Sequence, residues 1–373
     1  MKHPTVGRST TAVAEHETFG RKQLLLHAVT PYGRSGASSR VRVFEWLERT
    51  AAPSVVHCYV GLPNARPSAL MRRPLAVAAA ELALRQTARS RPGRVLLHRE
   101  ASPLSRGSLE QRLISDSEFA VYDFDDALQW DRGEGGLLRR WAPKGPKAHA
   151  AVRLANRVIA GNSVLADWAS SFNDDVTIIP SCVEPSRYAH KEDFRIQDPP
   201  RLGWIGSASE EKQLRWIGGA LQEIHRRTGA RLVLVGRTDT RLGELERLVD
   251  RVAWSEDAQA TVLAKMDVGL MPLIDEPMER GKCGYKLLQY GAAGVPSIGS
   301  PVGVNARILA DSGAPAPEMP NDWVDAVLSL LDASAGARRL LGQRSRSMVE
   351  EHYSYAAWHD RWEHAVGIQV TAG

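Results

Sequence analysis

Hydrophobic residues in this chain fall into short runs rich in Leu, Val and Ile, alternating with longer stretches of helical period. LLLHAV (24–29), VVHCYV, RVLLH, FAVYDF, RVIAG and VTIIP punctuate the first half, and LGWIG, RLVLVG, VGLMP and VPSIG the second. That alternation predicts parallel sheets joined by crossover helices, so the fold class is α/β with two units in sequence. Between the units HKEDFRIQDPP (190–200), charged and ending in two prolines, reads as a linker. The expected layout is a loose tail over 1–22, a first domain over 23–192, a linker over 193–200, a second domain over 201–352 and a terminal segment over 353–373. In that last segment Tyr355, Trp358, Trp362 and Val366 fall near helical spacing, which predicts an amphipathic helix packed on a domain face. Two such halves create a cleft, and in open parallel sheets ligands bind beyond the carboxyl ends of the strands.

Composition adds little to this picture but narrows it. With 373 residues, 43% hydrophobic and 24% charged, the chain has material for two buried cores and does not read as disordered. A formal net charge of +5 fits an anionic ligand or surface without requiring one. Cys58, Cys182 and Cys283 form no CxxC and stand near no His cluster, so neither a disulfide framework nor a zinc site is indicated, and a reducing, cytoplasmic setting fits. The N-terminus has no apolar stretch of signal-peptide length, and the apolar run 74–84 is broken by Glu81 and too short to span a bilayer. The expectation is a soluble protein that at most touches a membrane surface.

The densest chemical signal is DEPMERGKCGYKLLQYGAAGVPSIGSPVGV (275–304). Leu287, Leu288, Tyr290 and Ala292 mark a helix expected to start near Gly281 or Lys282 and to end at Gly294, before Val295-Pro296. Arg280, Lys282 and Lys286 crowd the end where the macrodipole is already positive, which is unfavourable for a free helix. An anion there resolves the conflict, since backbone N–H groups and cationic side chains would converge on the same oxygens; side chains pointing into water are the alternative.

Two further clusters lie in the first half. Asp123, Asp125 and Asp126, in VYDFDDALQW, suit a hydroxyl group, its proton or a cation, and equally a solvated turn or helix cap. HAVTPYGRSGASSRVRVFEWLE sets a glycine-rich turn before a helix: Gly33 and Gly36 permit close backbone approach, and Arg40 stands at the helix start.

These stretches together resemble the glycogen-synthase-like retaining glycosyltransferases of family 4, group 1. That family carries paired Glu residues ahead of a Gly-Val-Pro-type strand; here the two positions hold Gly281 and Gln289, while Glu279-Arg280-Gly281-Lys282 and Lys286 match a subgroup reading ERGK and then Lys. After the first strand of its second domain the family has an Arg and a Lys for the diphosphate; in GWIGSASEEK these fall on Ser207, following Gly206, and on Lys212. Ser207 with Glu210 also fits a plain capping box. LVLVGR resembles the strand and turn beside the base, where Arg237 and Trp254 would lie, although Trp254 suits a buried aromatic as well. The YD-x-DD pattern recurs on the acceptor side of the subgroup, and Asn162 matches a later turn.

The resemblance implies the GT-B fold, two Rossmann-like domains facing a central cleft with a C-terminal helix packing back on the first. It implies a nucleotide-diphosphate sugar as donor and a hydroxyl acceptor in a small molecule, glycan or glycolipid, with retention of configuration and no metal or other cofactor. Gly36, Arg40, Gly206, Ser207, Lys212, Arg237, Arg280, Gly281, Lys282, Lys286 and Gln289 would hold the donor, Gln289 at the ribose; Asp123, Asp125, Asp126 and Lys286 would serve the reaction. Competing readings are a non-catalytic anion or nucleic-acid binder, suggested by Arg72, Arg73, Arg139, Arg140, Lys144 and Lys147, and a GT-B relative such as a nucleotide-sugar epimerase. The transferase reading expects no nucleic-acid partner and leaves peripheral membrane contact open.

Overall fold

The computed structural model describes residues 25–62, 67–131, 133, 136–236 and 238–368, so the expectations for the tail 1–22 and for Arg237 lie outside the described residues. The apolar runs of the first half become β1 (Leu26–Thr30), β2 (Ser54–Cys58), β3 (Arg94–His98), β4 (Phe119–Phe124), β5 (Arg157–Ala160) and β6 (Val176–Ile178). They form one parallel sheet in the order β2-β1-β3-β4-β5-β6. The second half supplies β7 (Arg201–Ile205), β8 (Arg231–Gly236), β9 (Val249–Ala253), β10 (Val268–Met271) and β11 (Ser297–Gly299), parallel in the order β11-β10-β7-β8-β9. Between β6 and β7 the linker segment carries no strand or regular helix, although Phe194 in it is buried.

The expected terminal helix is Tyr355–Ala365, and it returns to the first domain. Trp362 stacks on Trp46 with centroids 5.2 Å apart, Tyr355 meets the same indole edge-on, and both join a core containing Leu26, Val43 and Ile159. Aromatic pairs of this geometry contribute about 1 kcal/mol each beyond their buried area, enough to fix where the chain end docks.

Two expectations need correction. Strand β9 was not anticipated: it is a short sheet edge whose Asp250 pairs with Arg231 and whose Arg251 pairs with Glu246, so its charges hide the apolar alternation. The basic helix runs Tyr285–Ala292 and does not start at Gly281 or Lys282, because Gly284 takes a left-handed turn with φ +66° that interrupts the backbone. A separate short helix, Pro277–Arg280, precedes it.

Helix Tyr285–Ala292 is held rigidly. A Cβ on Gly269 of β10 would lie 2.5 Å from the Tyr290 ring, so the missing side chain is what lets that ring reach the sheet. There the Tyr290 hydroxyl donates toward the Leu270 carbonyl at 3.1 Å. This clamp sets the position of Lys286 in the helix's first turn.

Candidate active site

Loops that follow strands of the two sheets meet between the domains, with residues 281–283 against Asp125, Ala127 and Asn162, and there they bring the site together. From the second domain, the turn after β7 presents Gly206 and Ser207. Lys286 lies across that turn: a Cβ on Gly206 would come within 3.0 Å of its Cε, and its ammonium sits 5.3 Å from the centre of the Trp204 ring. Lys286 Nζ donates to Glu210 at 2.8 Å, and Lys282 Nζ lies 3.7 Å from the same carboxylate. Burial alone would raise the Glu210 carboxyl, but the two lysines overcome it and hold the group well below the usual carboxylate range. Across the cleft Asp126 raises the Lys282 ammonium more than any other group does.

Ser207 forms the capping box with Glu210 that its sequence allows. Lys212 pairs with the buried Glu279 at 2.8 Å, and Arg280, 55% exposed, turns to Asp275 at 2.6 Å. The four cations therefore divide: Lys282 and Lys286 converge on one point in the cleft, while Lys212 and Arg280 are each directed elsewhere. Gln289 is buried and its amide nitrogen faces the Tyr188 hydroxyl at 3.4 Å.

Gly281 marks where the domains touch. A Cβ there would lie 2.5 Å from Ala127 Cβ and 3.0 Å from Ala127 N, in the turn that follows Asp126. Asn162 completes the seam from the first domain: its side-chain oxygen caps the helix Ser163–Ser170 by accepting from Leu165 N, and its amide donates to the Gly281 carbonyl at 2.9 Å. Beside it the Cys283 thiol is pushed up to about 12, mainly by burial, which keeps it protonated.

The acidic cluster does not act as a unit. Asp123 sits within β4, fully buried, where Arg42 grips it in a bidentate ion pair and His98 Nδ1 approaches its Oδ1 at 2.7 Å. Alternation along the strand is the reason, since Asp123 points to the opposite face from Tyr122 and Phe124. Asp125 accepts from Arg99 Nε at 2.6 Å and from the Ser38 hydroxyl at 3.1 Å; burial opposes its charge, but Arg99, His98 and Arg42 together hold it well below the carboxylate range. Asp126 is the most open of the three and stands 3.5 Å from Arg99.

Sequence reasoning missed His98, Ser38, Arg99 and Arg42. His98 Nε2 is 2.6 Å from Ser38 Oγ, in the first turn of the helical segment after Gly36. With His98 Nδ1 turned to Asp123, the Ser38 hydroxyl faces both His98 Nε2 and Asp125 Oδ1. Arg99 adopts φ +60°, a rare conformation for a side-chain-bearing residue and one concentrated at functional sites. A usable signal was present: a histidine closing the strand RVLLH directly after three apolar residues, and an arginine between Val41 and Val43.

The glycine-rich turn leads from β1 into a helical segment as expected, but that segment begins at Ala37, so Arg40 lies a turn inside it and not at its start. Arg40 N donates to the Gly36 carbonyl at 2.9 Å, and the backbone widens into a π-helical turn over Arg40–Phe44. The Arg40 guanidinium is buried over the Trp254 ring of the second domain at 5.0 Å, and its Nη1 has no hydrogen-bond partner. Lys144 and Lys147, read from sequence as part of an anion-binding surface, are instead buried beside Glu100 at 3.1 and 2.8 Å, so neither is available to a nucleic acid backbone. Among the described residues no group of three or more His, Cys, Asp or Glu is placed to hold a metal ion.

Residues 199–333 match the family described as Glycosyl transferases group 1, while no curated protein sequence matches the chain. Among solved structures it is similar to sucrose-phosphate synthase from Thermosynechococcus elongatus, with TM-score 0.68 and 15% identity over 91% of this chain and 98% of that one. Anabaena HepE in complex with UDP and glucose superposes with TM-score 0.64 and 13% identity, covering 93% of this chain and all (100%) of that one. WaaG, a glycosyltransferase involved in lipopolysaccharide biosynthesis, gives 0.63 and 15% over 92% and 100%. With both sheets and the returning helix in place, the chain has the two-domain GT-B fold of these structures, and the match to Glycosyl transferases group 1 lies in its second domain.

Proposed function

We propose that the protein moves a sugar from a nucleotide-diphosphate sugar to an acceptor hydroxyl, with retention of configuration and with lysines in place of a metal ion at the diphosphate. The observation that carries this reading is the convergence of Lys286 and Lys282 on one carboxylate at the start of helix Tyr285–Ala292, against the Gly206 turn. A diphosphate oxygen in the position of that carboxylate would meet both ammonium groups and the helix's free N–H groups, and charge developing on the departing diphosphate would be stabilised by groups already in place. The similar HepE structure holds UDP and glucose, which supports a donor of this class.

The first domain would supply the acceptor side. Asp126 is the carboxylate open to the cleft, while Arg99 occupies Asp125 and leaves it poorly suited to a cation. Asp123 acts behind His98 by fixing its tautomer, a positioning role. Gln289, Arg40 and Lys212 remain donor contacts only if the loops rearrange when the nucleotide enters.

The test is thermal stabilisation by UDP, GDP, ADP and dTDP, since a ligand bound to the native state raises stability as ln(1 + [L]/Kd). Sugars of the best nucleotide are then assayed for transfer, with and without EDTA, and the anomeric configuration of the product is read by NMR. A stabilising nucleotide and EDTA-resistant transfer with retention are expected. Strict dependence on a divalent ion, or an inverted product, would overturn the corresponding part of the reading.

A further inference from the structure

We infer that the outer face of helix Pro74–Arg89 and the short helix Leu137–Trp141 form a docking surface for an anionic lipid bilayer, beside the acceptor side of the cleft. Positions 75, 79, 82, 85 and 89 follow one another along a single stripe of the longer helix. Its first half is apolar, with Leu75 85% exposed and Leu82 54%, and its second half ends in the exposed Arg85 and Arg89. No acidic residue is exposed on this helix: Glu81 turns inward, accepting from the Tyr59 hydroxyl at 3.0 Å and from Ser102.

A depression whose lining includes Arg85, Arg89, Arg106, Arg112 and Trp141, against the two carboxylates Glu81 and Asp116, joins the two helices. On the short helix Leu137 is 85% exposed and Trp141, one turn later, stands near the Arg106 guanidinium. Large apolar side chains scattered singly on a surface need no explanation. Here they are grouped, ringed by arginines, and include an exposed tryptophan, the combination that suits the boundary between lipid headgroups and acyl chains. Among the described residues no helix is long and apolar enough to cross a membrane, so the contact is peripheral.

The location ties the surface to the site. One loop after β3 runs from Arg99, which holds Asp125, to Arg106 in the depression. A bilayer seated on the two helices would therefore bring a lipid-borne hydroxyl to the acceptor side. That last step rests on the glycosyl-transfer reading; the docking itself does not.

Flotation of the full chain with phosphatidylglycerol vesicles and with phosphatidylcholine vesicles, at low and high salt, tests the docking. Two exposed pairs serve as variants, Leu75→Glu with Leu82→Glu and Arg85→Glu with Arg89→Glu, and each variant's melting temperature checks its fold. Flotation confined to the anionic vesicles, weakened by salt and reduced at least tenfold by both pairs, is the expected result. Equal flotation on both vesicle types, or none, overturns the proposal. So does anionic binding that survives the leucine pair, which would show attraction to polyanions in general. Nucleotide-induced stabilisation of the same samples is read separately: its absence would sink the donor reading while leaving the vesicle result standing.

Discussion

The Glu210 carboxylate lies 2.8 Å from the Lys286 ammonium and 3.7 Å from that of Lys282, so a side chain of the same domain fills the point on which the two proposed diphosphate cations converge. An incoming diphosphate must displace it or share the lysines with it. Glu210→Gln removes the competing charge while keeping an acceptor for the Ser207 cap. For a partly exposed pair the gain is about 1 kcal/mol, roughly fivefold in affinity. Calorimetric titration with the preferred nucleoside diphosphate should show that tightening. Weaker binding in the variant would mean that Glu210 holds Lys286 in place for the phosphate.

The division of the cations gives a second prediction. Lys286 is only 12% exposed and packed over Trp204, whereas Arg280 reaches outward to Asp275. Lys286→Ala should stay folded and lose about thirtyfold in nucleotide affinity, the worth of one charge-assisted hydrogen bond of about 2 kcal/mol. Arg280→Ala should change it by less than about threefold, because an exposed ion pair of this kind contributes little. Thermal-shift titrations on both variants decide, and equal losses would contradict the ranking.

Much of the architecture was legible because each buried strand is a compact apolar run and the terminal helix carries its aromatics at helical spacing. The basic stretch 279–286 was legible as chemistry. Its geometry was not, since one left-handed glycine, Gly284, separates Lys282 from the helix, while Arg280 ends a short helix of its own and pairs with Asp275. In the first domain the sequence identifies the DFDD turn but not which carboxylate is free. That depends on Arg42, His98 and Arg99, whose contacts with the turn span tens of residues and leave no local periodicity.

Gly281 offers a direct test of the seam between domains. A methyl group there would press on Ala127 at 2.5 Å, and the Ala127 backbone cannot yield as a flexible side chain would. Gly281→Ala should therefore push the ERGK loop away from the DFDDA turn and weaken the Asn162 hydrogen bond to the Gly281 carbonyl. Because the contact joins two domains with their own cores, melting temperature should move by only about 2 °C. Turnover should fall at least tenfold if catalysis needs the closed seam. Small-angle scattering in saturating nucleotide would show a larger radius of gyration than for the unsubstituted chain; an unchanged radius with full turnover would remove the seam from the mechanism.

Glu100 makes the fold's dependence on acid predictable. Burial alone would raise its carboxyl, but Lys144 and Lys147 outweigh burial and pull it down to about 2 from an ordinary 4.5. A carboxyl depressed in the folded state adds stability that is complete above the unfolded value and is lost as pH falls through the folded one. The contribution, on the order of 3 kcal/mol, should thus persist above about pH 4.5 and fade from there toward pH 2. Urea titrations across that interval should show the decline. Glu100→Gln should flatten it while lowering stability at neutral pH by about 3–5 kcal/mol, because Lys147 is then buried without a counter-charge. Lys144 also donates to the Tyr32 hydroxyl at 3.2 Å, next to the Gly33–Gly36 turn. The same variant should therefore lose activity at temperatures where it is still folded, and full activity there would mean that the turn keeps its shape without this anchor.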